Sequence, residues 1–126
     1  MKTRESAENY LETILILGHN GNPVRSIDIV NELDFAKPSV SIAMKNLRAD
    51  GHILMDEGGY ITLTESGRGI AETMYERHIL LSEWLARLGV DKATALKDAC
   101  KMEHVLSEQS FHAIKKYIQD TNRQKK

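Results

Sequence analysis

The sequence predicts a mostly α-helical protein with one small β-hairpin: an N-terminal winged helix-turn-helix followed by an all-helical module. Three observations predict that fold. A helix, a short helix, a tight turn and another helix follow one another in helix-turn-helix order. Two short β-prone runs flank a Gly-rich turn directly afterwards. Capped helices with apolar stripes fill the rest of the chain.

Residues 7–17 carry Tyr10, Leu11, Ile14, Leu15 and Leu17 at helical spacing, with Ser6 as the N-cap. Gly18-His19-Asn20-Gly21-Asn22-Pro23 stops this helix. Ser26 caps a short second helix that turns Ile27, Val30 and Leu33 inward. After Asp34-Phe35-Ala36, residues 37–48 form the third helix, with Val40, Ala43, Met44 and Leu47 as its buried stripe. Pro38 suits its first turn, where no backbone donor is needed. Asp50-Gly51 ends it, and residues 52–55 and 60–63 pair around Asp56-Glu57-Gly58-Gly59 as the wing. Thr64 caps a long helix that passes Ile70, Met74, His78, Leu81, Trp84 and Leu85 and stops at Gly89. Asp91 caps the next helix, to residue 106, and Ser107 caps a last one to about residue 119. The division expected is a winged-helix module at residues 1–63 and a helical module at 64–126.

Composition narrows the function. The 126 residues are 41% hydrophobic and 28% charged, as in an ordinary folded protein. No apolar run approaches the ~20 residues that cross a bilayer, so no membrane partner is expected. Met1-Lys2-Thr3-Arg4-Glu5 lacks the apolar centre of a signal peptide, and Cys100 is the only cysteine, so the protein is expected in the reducing cytoplasm. No nucleophile–base arrangement, Gly-rich phosphate loop or HExxH string points to an enzyme, and no small organic ligand is expected. The basic end, Arg123-Gln124-Lys125-Lys126, reads as a frayed, solvated tail. Net charge is −1, so nucleic-acid binding has to rest on local charge rather than the total.

That local charge lies on the third helix. With Val40, Ala43, Met44 and Leu47 inward, Lys37, Pro38, Ser39, Ser41, Ile42, Lys45 and Asn46 are left on or beside its outward face. Hydroxyls, an amide and ammonium groups suit phosphates and base edges, and an outward Ile42 suits the methyl group of thymine. Arg25, just ahead of the second helix, is placed to clasp a phosphate. The same residues also read as a plain solvated helix face.

Near the end, Cys100, Glu103 and His104 fall at i, i+3 and i+4, which puts a thiol, a carboxylate and an imidazole on one helical arc. His78 lies near the apolar face of the long helix, and Glu12 lies beside the buried stripe of the first. A half-buried carboxylate needs a cation or donors, and the five residues together satisfy one another through a divalent metal. Two bland readings stay open here: an inert thiol beside a surface Glu–His pair, and a satisfied core histidine at position 78. A further alternative is a metal-independent winged-helix regulator in which Cys100 senses oxidants.

The chain resembles the metal-dependent repressors of the DtxR/MntR family. The likeness runs from Glu8-Asn9-Tyr10-Leu11-Glu12 through Pro38-Ser39-Val40-Ser41 to Leu63-Thr64-Glu65-Ser66-Gly67. It continues through Arg77-His78 and Gly89-Val90-Asp91 to the string from Ala99-Cys100 to Glu103-His104-Val105-Leu106-Ser107. The resemblance implies a homodimer that binds double-stranded, palindromic operator DNA once a divalent ion is loaded. It implies Cys100, Glu103, His104 and His78 as ligands, with Glu12 as the first-helix carboxylate. Asn9 falls where manganese-type members place Asp and iron-type members place Met, and offers a neutral amide oxygen. Ser82 and Leu96 fall where iron-type members carry a second site. With Cys100 standing in for a carboxylate, Fe2+ is the expected metal and Mn2+ the alternative. Zn2+, Co2+ or Ni2+ are expected to substitute in vitro, because raw affinity follows the Irving–Williams order.

Overall fold

A computed structural model describes residues 2–124 as six helices and a two-stranded antiparallel hairpin, with side chains described for residues 5–122. The order is α1 (Lys2–Leu17), a single 3-10 turn (His19–Gly21), α2 (Ser26–Leu33), α3 (Lys37–Ala49), β1 (Ile53–Met55), β2 (Ile61–Leu63), α4 (Glu65–Arg87), α5 (Lys92–Val105) and α6 (Glu108–Gln124). By internal packing the chain forms two units, 1–74 and 75–126, and the boundary falls inside α4. Lys125 and Lys126 of the expected tail lie outside the described residues.

The first unit is the winged helix. Leu11, Ile29, Val40, Met44 and Ile53, all at most 1% exposed, form its centre together with Tyr10, Ile14, Val24, Leu47, Ile61 and Ala71. Tyr10, Leu11 and Ile14 repeat at i, i+1 and i+4, and Val40, Met44 and Leu47 at i, i+4 and i+7, so each helix presents one apolar stripe. Asp34 adopts a left-handed conformation (φ 56°) that lets α3 start immediately after α2. In the hairpin Ile53 pairs with Leu63 and Met55 with Ile61. Asp56 closes its turn by accepting from the Tyr60 amide at 2.9 Å, and Gly59 supplies the positive φ of 83° that the turn needs. Gly67 answers a different demand. A Cβ there would sit 2.0 Å from the His52 carbonyl oxygen, so the first turn of α4 reaches the root of the wing only through glycine.

The second unit is built from the rest of α4 with α5 and α6. Leu81, Ala99 and Phe111 form its buried apolar cluster, with Leu80, Trp84, Met102, Leu106 and Ile114 packed around them. The expected caps act at three helix starts. Thr64 Oγ1 accepts from Gly67 N at 3.2 Å, Asp91 Oδ2 from Thr94 N at 3.3 Å, and Ser107 Oγ from Ser110 N at 3.0 Å.

The structure corrects the sequence expectations at other ends. Helix α1 starts at Lys2, so Ser6 lies inside it rather than capping it. Ser26 is the first residue of α2, and Arg25 takes the cap position, its amide donating to Asp28 Oδ2 at 2.9 Å. Residues 24 and 25 also pair with the wing, Arg25 bridging Tyr60 and Val24 O accepting from Ile61 N at 2.8 Å. Helix α6 runs to Gln124 instead of stopping near residue 119. Among the described residues no helix is long and apolar enough to cross a membrane.

Candidate metal centre and nucleic-acid face

Helix α5 buries a narrow face of small residues. Ala95 and Ala99, at 1% and 0% exposure, lie on it, and the next residue at the i+4 interval is Glu103, also 0% exposed. Two alanines let the backbone lie close against its neighbours, and the interval then carries a carboxylate into the interior. A carboxylate stripped of water is costly unless something replaces the lost hydration.

Part of that replacement is visible within the second unit. Glu103 Oε1 lies 2.9 Å from His78 Nδ1 of α4. With Glu103 ionised, that hydrogen bond needs the proton on Nδ1, which leaves Nε2 as the lone-pair nitrogen of a neutral imidazole. The other oxygen, Oε2, is buried and accepts no hydrogen bond among the described residues. His104 Nε2 is 3.7 Å from it, too far for a hydrogen bond. A fully buried carboxylate oxygen without a donor, with two imidazoles beside the same group, fits a divalent cation. Carboxylate and imidazole donors together suit Mn2+, Fe2+, Co2+ and Zn2+.

The remaining expected ligands are placed as follows. Cys100 is exposed on α5, one turn before Glu103 and His104. Glu12 is 5% exposed on α1 in the first unit, and Asn9 is half-buried on the same helix. Two buried charged groups escaped the sequence reading. Glu8, 9% exposed, lies one turn before Glu12, and its i, i+4 spacing to that residue was the available signal. Arg77, 6% exposed, precedes His78, and nothing in the helical periodicity separates it from a surface arginine. Ser82 is 7% exposed and donates to the Ile79 carbonyl at 3.2 Å, while Leu96 is exposed.

On α3 the two faces separate cleanly. Val40, Met44 and Leu47 are buried, and Lys37, Pro38, Ser39, Ser41, Ile42, Lys45 and Asn46 are all exposed, Ile42 at 62%. Arg25 is exposed too, but its guanidinium is already engaged. Nη2 donates to the Gly58 carbonyl at 2.7 Å and the group stacks 4.9 Å from the Tyr60 ring centre, which ties the wing turn to the start of α2.

A winged helix with a polar outward face on α3, joined to a helical unit that buries a carboxylate between imidazoles, has the parts of a metal-responsive DNA-binding regulator. Family comparison agrees in both halves. Residues 2–61 match the iron dependent repressor N-terminal DNA binding domain, and residues 64–125 match the iron dependent repressor metal binding and dimerisation domain. The chain belongs to the iron-dependent repressor family, the DtxR/MntR group of metal-dependent transcriptional repressors, and not to an enzyme family.

Individual relatives are consistent with that assignment. The chain is 32% identical over 116 residues to the transcriptional regulator MntR of Escherichia coli, covering 92% of this chain and 75% of that protein. It is 31% identical over 114 residues to the MntR regulator of Lysinibacillus sphaericus, covering 90% and 82%. An uncharacterized HTH-type transcriptional regulator of Methanocaldococcus jannaschii is 31% identical over 117 residues, covering 91% and 94%. Among solved structures, the manganese regulator SloR superposes with a TM-score of 0.81 at 24% identity, over 90% of this chain and 53% of that one. A manganese-dependent transcriptional repressor in complex with manganese gives 0.77 at 27% identity, over 86% and 50%. The chain thus spans about half the length of those two solved proteins.

Proposed function

We propose that this protein is a cytoplasmic, homodimeric repressor of metal-ion homeostasis that binds palindromic operators when loaded with Fe2+, with Mn2+ as the alternative metal. The observation that carries this reading is Glu103, wholly buried with one carboxylate oxygen lacking a donor among the described residues. Glu12, His78, Cys100, Glu103 and His104, with the amide oxygen of Asn9, would hold the ion. When bound, it supplies positive charge that offsets buried carboxylates. His78 is oriented for this by Glu103, since a ring whose Nδ1 is held by a carboxylate presents Nε2 in a defined direction. An ion shared by Glu12 and Glu103 would tie the DNA-reading unit to the dimer. The two copies of α3 then sit at the separation of successive major grooves, ~34 Å or a multiple. Only a ligand that favours this arrangement over others shifts the population toward it.

On the DNA, Lys37, Ser39, Ser41, Lys45 and Asn46 would contact phosphates and base edges, with Pro38 and Ile42 making apolar contacts. Arg25 would reach a phosphate from the wing side. The test is fluorescence anisotropy on promoter fragments of metal-uptake genes under anaerobic conditions, with Fe2+, with Mn2+ and after chelation. Metal-dependent, chelator-reversible binding is expected, and binding that ignores both metal and chelator would refute the reading.

One observation favours a second reading. Cys100 is exposed and followed by Lys101, as an oxidant-sensing thiol would require. In that case peroxide, and not chelation, would release the DNA, and Cys100→Ser would abolish the response.

A further inference from the structure

Arg77 is a buried charged group that the metal reading leaves without a task. It is 6% exposed in the interior of the second unit, on α4 immediately before His78. Its Nη1 donates to the Glu103 carbonyl at 3.0 Å and to the Leu106 carbonyl at 2.7 Å. Its Cζ lies over the Phe111 ring of α6, 5.1 Å from the ring centre. Its Nε is buried and makes no hydrogen bond among the described residues.

The two carbonyls belong to the end of α5, whose last carbonyls have no partner within the helix. An α-helix left in that state frays, and a cation at its C-terminus answers both the missing donors and the helix dipole. What makes this end unusual is its cargo: Glu103 and His104 both stand in the final turn that Arg77 holds. The same arginine adjoins His78, whose Nδ1 meets Glu103 Oε1. A single side chain therefore holds the backbone behind the buried carboxylate from the residue next to its imidazole partner. Lysine is no equivalent, because its compact ammonium on a flexible stem lacks the delocalised group whose Cζ lies over Phe111.

We propose that Arg77 is a positioning residue for the metal centre, holding the last turn of α5 so that Glu103, His104 and His78 meet one ion. This rests on the metal reading given above. It implies that losing Arg77 changes how a metal is held, and not merely how stable the unit is.

The test uses the full chain and Co2+ alone as probe, under anaerobic conditions, because the d–d absorption of bound Co2+ reports coordination geometry. Wild type, Arg77→Lys and Arg77→Met are titrated, with affinity measured by competition with a chelator. Arg77→Met is expected to weaken Co2+ by about 10- to 100-fold, the range seen when groups supporting metal ligands are removed. Its bands should shift in position and intensity, with Arg77→Lys intermediate. Wild-type affinity and spectrum in Arg77→Met would overturn the proposal, whatever happens to its melting temperature. Should Arg77→Met fail to fold, wild-type behaviour of Arg77→Lys overturns it equally. No Co2+ uptake by the wild-type chain would instead refute the metal centre itself, and this inference with it.

Discussion

The two units balance polar and apolar residues differently. In the first, α3 exposes Lys37, Ser39, Ser41, Lys45 and Asn46 and buries Val40, Met44 and Leu47, the arrangement of a self-sufficient domain. In the second, Glu103, Arg77 and Ser82 are inside, while Leu88, Val105 and Tyr117 stand 63%, 68% and 64% exposed. Scattered exposed apolar groups are ordinary, but buried charge is not. The first unit has the larger apolar core, although it too buries Glu8 and Glu12 of α1 and leaves Ile42 and Leu54 62% exposed. The second buries charged groups that need a cation or designed partners, and keeps large apolar side chains at its surface. Charge buried in this way agrees with the match of this unit to a metal binding and dimerisation domain.

The contrast can be broken or sharpened by substitution. The largest effect is expected in the first unit, where Met44→Ala removes a side chain 1% exposed and should cost about 2–5 kcal/mol in denaturant or thermal unfolding. Ser41→Ala on the opposite face should stay within about 0.5 kcal/mol. Equal losses for the two would mean that the faces of α3 are not divided as described.

Next comes Glu103→Gln, which keeps the shape and removes the charge. Metal affinity should fall on the order of 100-fold, read by competition titration, while the metal-free protein melts no lower than wild type. A metal-free protein strongly destabilised by this change would show Glu103 to be structural rather than held for a cation. Cys100→Glu should move activation toward Mn2+ by roughly tenfold in the Mn2+/Fe2+ ratio of operator-binding midpoints, since thiolate is the softer donor. Unchanged preference would remove Cys100 from the ligand set.

The smallest effect concerns Ile42, 62% exposed on α3. If its side chain packs on a thymine methyl group, replacing that thymine by uracil should weaken wild-type binding by roughly fourfold, the equivalent of about 0.8 kcal/mol per buried methyl-sized group. Ile42→Ala should be indifferent to the exchange. Binding of wild type that ignores uracil at every thymine of the site would assign Ile42 to no base.

Much of the fold was legible because the relevant signals are local. Thr64, Asp91 and Ser107 cap helices through their own side chains a few residues ahead, and the faces of α3 follow directly from helical spacing. Two of the misses trace to a distant element. Arg25 displaced Ser26 from the cap because residues 24 and 25 pair with the wing, a partner more than thirty positions away, as the Arg25–Gly58 hydrogen bond shows. Arg77 was invisible for the same reason: its partners are carbonyls on α5 and a ring on α6.

By itself, then, the chain of residues determined the order of elements, the outward face of α3 and the donor arc at Cys100, Glu103 and His104, since spacing along a helix sets direction. Only the tertiary structure decided which of those polar groups lose their water. Burial depends on what other segments cover. Glu103, a candidate ligand by spacing alone, lost its water when neighbouring segments covered it and left, among the described residues, a carboxylate oxygen with no hydrogen bond to accept.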